Sequence, residues 1–149
     1  MKSLIVYDSL YGNTEKIAKA IGAALTGEVK VLRVGEVDPS ELKTFDLLIV
    51  GSPTHGGRAS PTMREFLDKI QAAALQGINV AAFDTRLTSR WAAIFGYAAG
   101  RIAKSLKKKG GTLIVSPQGF LVTGTEGPLK EGEVERAASW AKEIVETKK

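Results

Sequence analysis

Short apolar runs alternate along the chain with stretches in which apolar residues recur every three or four positions. The runs have strand length and the stretches have helical period, so the pattern predicts alternating β-strands and α-helices. The predicted strands cover residues 3–8, 28–34, 46–51, 78–84 and 112–117, with residues 118–122 as a candidate extension of the last. The predicted helices carry the apolar stripes Ile17-Ile21-Leu25, Met63-Phe66-Leu67-Ile70, Ala99-Ile102-Ala103-Leu106 and Val134-Ala137-Ala138-Ala141-Ile144-Val145.

The polarity of each predicted strand indicates its place in a sheet. Four of the strands are nearly continuous apolar runs, which is typical of central strands covered by helices on both faces. Polar residues interrupt the strand over residues 28–34, as expected at a sheet edge. With right-handed crossovers, the pattern predicts a doubly wound, five-stranded parallel α/β sheet in the order 2-1-3-4-5. The chain then changes its winding direction between strands 1 and 3, where a ligand crevice is expected.

Length and composition narrow the classes of protein that remain. The 149 residues, of which 44% are hydrophobic, fit one domain over residues 1–149. The lack of cysteine excludes disulfides, iron–sulfur clusters and Cys nucleophiles, and the single histidine, His55, leaves too few ligands for zinc. No apolar run has the length of a membrane helix or the flanks of a signal peptide, so we expect a cytoplasmic protein that has no membrane partner.

The charge of the chain is basic and uneven. The net charge is +5, from 21 basic and 16 acidic residues, and the excess lies toward the C-terminus. The basic residues are not interleaved with aromatic residues and match no nucleic-acid motif, so we do not expect nucleic-acid binding.

The loop after the first predicted strand has the composition of an anion site. It reads Asp8-Ser9-Leu10-Tyr11-Gly12-Asn13-Thr14 and leads directly into the first helix. Hydroxyls, a glycine and the free backbone amides of a helix N-terminus can together surround a phosphate without a cationic side chain. A dianionic monoester suits such a loop, which has neither the lysine of a Walker loop nor the glycines of a dinucleotide turn. An ordinary strand-to-helix turn with capping residues is the other interpretation.

Two further loops face the same predicted crevice. The loop after the third strand contains Pro53-Thr54-His55-Gly56-Gly57, and adjacent glycines can hold a peptide in more than one orientation. The loop after the fourth strand runs from Asp84-Thr85-Arg86 to Trp91, an aromatic residue that can stack on a ring. The competing interpretations are a solvated His55, a Trp91 that anchors the third helix, and Tyr97 as the stacking residue. Trp140 is expected in the core.

At these three loops the sequence resembles the flavodoxin family, specifically its short-chain, FMN-binding members. The resemblance covers almost the entire chain, including residues 124–129 before the last helix, and implies a flavodoxin-like fold with FMN as cofactor. The family's phosphate-loop pattern, Ser/Thr-x-Thr-Gly-x-Thr, is matched by Ser9, Gly12 and Thr14, whereas Tyr11 replaces the middle Thr.

The resemblance also implies a role for each loop. The residues that would surround the phosphate are Ser9, Leu10, Tyr11, Gly12, Asn13 and Thr14. The residues that would border the flavin ring are Pro53, Thr54, His55, Gly56 and Gly57, with the Gly56-Gly57 peptide turning its carbonyl toward N5–H on reduction. Backbone groups of Asp84, Thr85 and Arg86 would meet the pyrimidine edge of the flavin, and Trp91 would stack on the ring.

By this resemblance the protein is a one-electron carrier that works through the neutral flavin semiquinone and exchanges electrons with redox partner proteins. Acidic flavodoxins keep carboxylates around the flavin, whereas the ring-side loops of this chain carry Arg58, Arg86 and Arg90 against one carboxylate, Asp84. We therefore expect a less negative semiquinone/hydroquinone couple than in acidic relatives, and partners with acidic docking surfaces.

Three alternatives stand beside this interpretation. The first is an FMN-dependent NAD(P)H:quinone oxidoreductase on the same fold. The second is a response-regulator receiver, which is disfavoured because strand 3 ends in Gly51-Ser52 without a phosphorylatable aspartate. The third is a scaffold of the same fold that binds only protein, which the Tyr11 replacement permits.

Overall fold

The computed structural model describes residues 1–87 and 97–148. The strands are β1 (Lys2–Tyr7), β2 (Glu28–Arg33), β3 (Leu47–Pro53), β4 (Asn79–Arg86), β5 (Thr112–Leu113) and β6 (Gln118–Leu121). The helices are α1 (Asn13–Ala24), α2 (Pro61–Lys69), α3 (Ala98–Lys108) and α4 (Glu133–Lys148). Two short 3₁₀ helices, Val34–Glu36 and Pro39–Thr44, connect β2 to β3.

The strands form one parallel sheet in the order β2-β1-β3-β4-β5, which confirms the predicted order and the edge position of β2. The predicted last strand is interrupted, and β6 is a short extra strand that also pairs with β4. Thr112 pairs with Asn79 and Gln118 pairs with Phe83. Between these two pairs the last segment advances by six residues, whereas β4 advances by four. Two residues of the last segment therefore bulge out between β5 and β6.

The sheet separates two apolar layers, and alternate side chains of β1 enter each. Leu4 and Val6 belong to the layer that packs against α2 and α3, whereas Ile5 and Tyr7 belong to the layer beneath α1 and α4. Trp140 is buried in the second layer, as predicted, and meets two phenylalanine rings edge to face at about 6 Å. Within the described residues, no helix is long and apolar enough to cross a bilayer.

The start of α2 is joined to the end of β1 through a serine. Ser60 caps α2 by accepting the N–H of Met63 at 3.3 Å, and Pro61 occupies the first helical position, as the sequence predicts. The Ser60 hydroxyl also donates to the Asp8 carboxylate at 2.5 Å. Because Asp8 directly follows β1, this contact fixes the first loop against the loop after β3.

Candidate functional site

A cavity of about 370 Å³ opens at the carboxyl ends of β1, β3 and β4, where the sequence predicts the crevice. The loops after these three strands form most of its walls, and the segment after β6 completes them. Among the described residues, no group of His, Asp or Glu is arranged to hold a metal ion. The position of the cavity at the strand ends and its volume are typical of an organic cofactor site.

The first loop supplies one wall of the cavity. Its lining residues are Ser9, Leu10, Tyr11, Asn13 and Thr14. Gly12 lies outside the lining and adopts a φ of +90°, a left-handed conformation that favours glycine. The Ser9 hydroxyl oxygen accepts the N–H groups of Gly12 at 3.0 Å and Glu15 at 3.4 Å, so it holds the loop onto the first turn of α1.

Several donors of this loop have no acceptor within residues 1–87 and 97–148. In the part of the chain that the structure describes, no acceptor contacts the backbone N–H groups of Leu10, Tyr11, Asn13 or Thr14. The Ser9 hydroxyl accepts two hydrogen bonds, so its own proton is available to donate. The loop can therefore offer a ring of neutral donors to an anion.

A charged network supports the same loop from β2. Arg33 Nη1 donates to the Ser9 carbonyl at 3.0 Å, and Arg33 Nη2 lies 3.5 Å from the Glu15 carboxylate. The Tyr7 hydroxyl donates to Glu15 at 2.6 Å. Burial and this bond to Glu15 raise the pKa of Tyr7 to about 12, and the same bond lowers the pKa of Glu15. The Arg33 charge is thus paired with a carboxylate instead of facing the cavity unpaired.

The second loop forms a tight hairpin. His55 and Arg58 exchange backbone hydrogen bonds at 2.8 and 3.1 Å, and Gly56 and Gly57 between them have φ of +57° and +81°. Two central residues with positive φ are the requirement of a type I′ turn, which explains the glycine pair. Besides the two glycines, Pro53, Thr54 and His55 also line the cavity.

Hydrogen bonds join the three loops into one rigid rim. The Thr54 N–H donates to the Thr85 carbonyl at 2.9 Å, and the Thr54 hydroxyl oxygen accepts the N–H of Ala98 at 3.2 Å. The hydroxyls of Thr14 and Thr85 are 2.8 Å apart and buried. Whichever of the two donates, the other hydroxyl keeps a proton for a further acceptor.

The third loop brings an ion pair that the sequence did not predict. The Asp84 side chain is fully buried and lies outside the cavity lining, whereas Thr85 and Arg86 line it. Both Asp84 oxygens accept from Arg86, at 2.6 and 2.8 Å, and one also accepts the Ala99 N–H at 2.8 Å. The Arg86 guanidinium lies 3.5 Å from the centre of the Tyr97 ring. The charges of Arg86 and Asp84 therefore offset each other beside the cavity.

Trp91, the predicted stacking residue, lies outside the described residues. Tyr97, its competitor, lines the cavity and has Arg86 over one face of its ring. The lining also includes Leu87, Val122 and Thr125, which sequence reasoning did not select. Of these, Thr125 lies in the segment before the last helix that carried part of the resemblance, so a signal for it was present.

The chain is similar to flavodoxins in both sequence and fold. A model of the flavodoxin family matches residues 5–140. A flavodoxin from Clostridium saccharobutylicum is 36% identical over 89 residues, which cover 57% of this chain and 56% of that protein. The crystal structure of oxidised Flavodoxin 2 from Bacillus cereus has a TM-score of 0.83 at 29% identity, and covers 98% of this chain and 99% of that chain.

A further relative carries a different name. An NAD(P)H dehydrogenase (quinone) from Cupriavidus metallidurans is 33% identical over 100 residues, which cover 52% of this chain and 50% of that protein. The chain thus matches about half the length of these curated relatives. The family match, by contrast, runs from within β1 through the other five strands and into α4. The chain therefore belongs to the flavodoxin family.

Proposed function

We propose that the protein binds FMN in the cavity at the ends of β1, β3 and β4 and acts as a carrier that moves one electron at a time. Flavodoxins bind flavin and carry electrons, which is the family-level basis of the proposal. The observation that carries it for this chain is the cavity itself, since a phosphate loop and a ring-side hairpin face one space.

The first loop fits a phosphate monoester. Among the described residues, four backbone N–H groups and the Ser9 hydroxyl proton of this loop have no hydrogen-bond acceptor. The loop contains no cationic side chain. The Cβ position of Gly12 faces open space, so the backbone there can be approached closely. Neutral donors at a helix N-terminus bind a dianion well, and the Tyr11 backbone supplies an amide even though its side chain departs from the family pattern.

The other walls fit a flat ring. Tyr97 can stack through the face that Arg86 does not cover, and the side chains of Leu10, Leu87 and Val122 supply apolar contact. The Cβ position of Gly56 meets nothing within 4 Å, so the hairpin backbone is accessible to a ligand. We propose these residues, together with His55, as the ring site.

Bound FMN would supply the redox chemistry, and the protein would supply binding, orientation and electrostatics. The hairpin peptide between Gly56 and Gly57 is the adjustable part of the site. A reversal of this peptide converts a type I′ turn into a type II′ turn, in which only Gly56 keeps a positive φ. The chain can thereby present either an N–H or a carbonyl toward the cavity, with the His55–Arg58 bonds retained.

Comparison of FMN with riboflavin tests the phosphate site. We expect quenching of flavin fluorescence on titration, with FMN bound about 100-fold more tightly than riboflavin, because two charge-assisted hydrogen bonds contribute about 3 kcal/mol or more. Photoreduction should accumulate a one-electron-reduced flavin. Equal affinity for the two flavins, or direct two-electron reduction, would contradict the proposal.

We further propose that the protein works in the cytoplasm between a reductase and an electron acceptor. The basic composition favours acidic docking surfaces on these partners. Faster electron delivery from an acidic donor at higher salt would contradict this part of the proposal.

A second candidate function is an FMN-dependent NAD(P)H:quinone oxidoreductase. The similarity to the enzyme from Cupriavidus metallidurans favours it. The test mixes the FMN-bound protein with NADPH and a quinone in the absence of any added reductase and follows NADPH oxidation. Sustained NADPH oxidation would favour the enzyme, and oxidation only after a reductase is added would favour the carrier.

A further inference from the structure

A second concave surface lies between α2 and α3, next to the hairpin. It encloses about 310 Å³, and its floor is formed by Ala59, Leu67 and Ile102. Three arginines, Arg58, Arg64 and Arg101, line it together with one carboxylate, Asp68. We call this surface the arginine groove.

Backbone carbonyls orient two of these arginines. Arg101 Nε donates to the Gly57 carbonyl at 3.0 Å, and Arg64 Nε donates to the Ala59 carbonyl at 3.2 Å. Both carbonyls belong to the chain between the hairpin and α2, so the guanidinium groups are held in place beside the hairpin. The Arg64 guanidinium, fixed at Nε, still has terminal N–H groups with which to bind a carboxylate.

The groove has an excess of positive charge. Among the described residues, no carboxylate lies within ion-pair distance of Arg58 or Arg64. Asp68 lies four residues after Arg64 and lines the same groove, yet the two form no ion pair. The groove can therefore accept negative charge from outside the chain.

The positive charge continues along α3. This helix carries Arg101, Lys104, Lys107 and Lys108 and no acidic residue, whereas α4 carries both signs. Arg101, Lys104 and Lys108 have the i, i+3, i+7 spacing of one helix face. The row extends for about 10 Å along the helix axis. A single phosphate would contact one end of it, whereas an acidic protein surface can contact the whole row.

The arginine groove also lies next to the cavity, on the other side of the hairpin. Arg58 ends the hairpin, and Gly56 and Gly57 of the same hairpin line the cavity. A partner that contacts Arg58 is therefore within a few residues of the ring site.

We propose that the arginine groove and the basic face of α3 form the docking surface for an acidic redox protein. The proposal rests on the proposed electron-carrier function, because the partner is defined by the electrons it exchanges. Carboxylates of the partner would pair with Arg58 and Arg64, and the row along α3 would set the orientation of the encounter.

The test uses a reduced, acidic plant-type ferredoxin as the probe and the FMN-bound protein as the acceptor. Stopped-flow absorbance gives the second-order rate constant at low and high salt. The Arg58→Gln/Arg64→Gln variant is compared with Lys30→Gln/Lys142→Gln, which has the same net charge but changes exposed residues on β2 and α4. We expect the groove variant to slow electron transfer about tenfold at low salt, the control less than about twofold, and the difference to vanish at high salt.

Equal slowing by the two double variants would assign the effect to net charge alone and overturn the proposal. A parallel NMR titration of the ¹⁵N-labelled protein with the same ferredoxin, and with inorganic pyrophosphate, locates the binding surface independently of electron transfer. Chemical-shift changes at residues 58–68 and 101–108 on addition of ferredoxin would support the docking surface. Changes there with pyrophosphate but not with ferredoxin would overturn it and assign the groove to a small anion. If the protein takes up no FMN, the proposed function fails at that step, while the titration still decides whether the groove binds an acidic protein.

Discussion

The buried ion pair beside the cavity gives the sharpest stability prediction. Arg86→Met removes the guanidinium that donates to both oxygens of Asp84 and retains a side chain of similar length. Among the described residues, the Asp84 carboxylate then keeps the N–H of Ala99, at 2.8 Å, as its donor. We expect the folded apoprotein to lose about 3–5 kcal/mol, since removal of one partner leaves an uncompensated buried charge.

The burial of the pair sets this magnitude. The Asp84 side chain is 0% exposed and the Arg86 side chain 18%, so solvent screens the pair weakly. An exposed ion pair would contribute about 1 kcal/mol or less. For a chain of this size, 3–5 kcal/mol corresponds to a fall in Tm of roughly 6–20 °C.

Urea and thermal unfolding of the apoprotein measure the effect without the stabilisation that a bound ligand adds. Arg64→Met is the matched control, because Arg64 is exposed and makes one bond to a carbonyl, so a loss below about 1 kcal/mol is expected. In a double-mutant cycle, Asp84→Asn should recover part of the loss caused by Arg86→Met, since it removes the unpaired charge. A loss below 1 kcal/mol for Arg86→Met, or simple additivity in the cycle, would refute the reasoning.

The remaining predictions concern the core and the two ends of the pH range. Gly51→Ala should destabilise the protein by about 3 kcal/mol or more in urea, because the new Cβ would lie 2.0 Å from the Phe83 ring, whereas Gly35→Ala meets no neighbour and should have little effect. Tyr7 should ionise near pH 12 in an ultraviolet pH titration, and its contribution to stability should be lost as the pH rises from about 10 to about 12. Tyr7→Phe should remove that step from both measurements. The bond to Arg136 lowers the pKa of Glu133, so this carboxylate should stabilise the fold above its ordinary pKa and lose that contribution on further acidification. The free energy of unfolding of Glu133→Gln, measured in urea at several pH values, should therefore fall less steeply in acid than that of the unmodified protein.

The order of the sheet could be predicted because its signals are local. Strand length, helical period and the polar interruption in β2 can each be recognised within a few residues of sequence. The interruption of the last strand could not be predicted this way. Residues 112–117 are apolar enough for a strand, and only the register against β4 shows that the ladder breaks and resumes at Gln118.

The same distinction between local signals and long-range contacts applies to the candidate site. Its loops could be predicted, because the carboxyl ends of parallel strands meet at one edge of a sheet. The contacts that fix those loops could not, since they join residues far apart in sequence. The hydroxyl pair of Thr14 and Thr85 spans 71 positions, and the bond from Arg33 to the Ser9 carbonyl spans 24.

The redox potential of bound FMN should depend more on where the charges lie than on the net charge of the chain. Of the ring-side arginines that the sequence brings together, Arg86 is offset by Asp84, and Arg90 lies outside the described residues. Arg58 and the basic face of α3 are exposed, and they would still favour the anionic, reduced form of bound FMN. We therefore still expect a less negative semiquinone/hydroquinone potential than in acidic relatives. Each close exposed charge should contribute about 1 kcal/mol to this difference. A redox titration of the FMN-bound protein at low and high salt measures this, and a potential that does not respond to salt would show that exposed charge is not its cause.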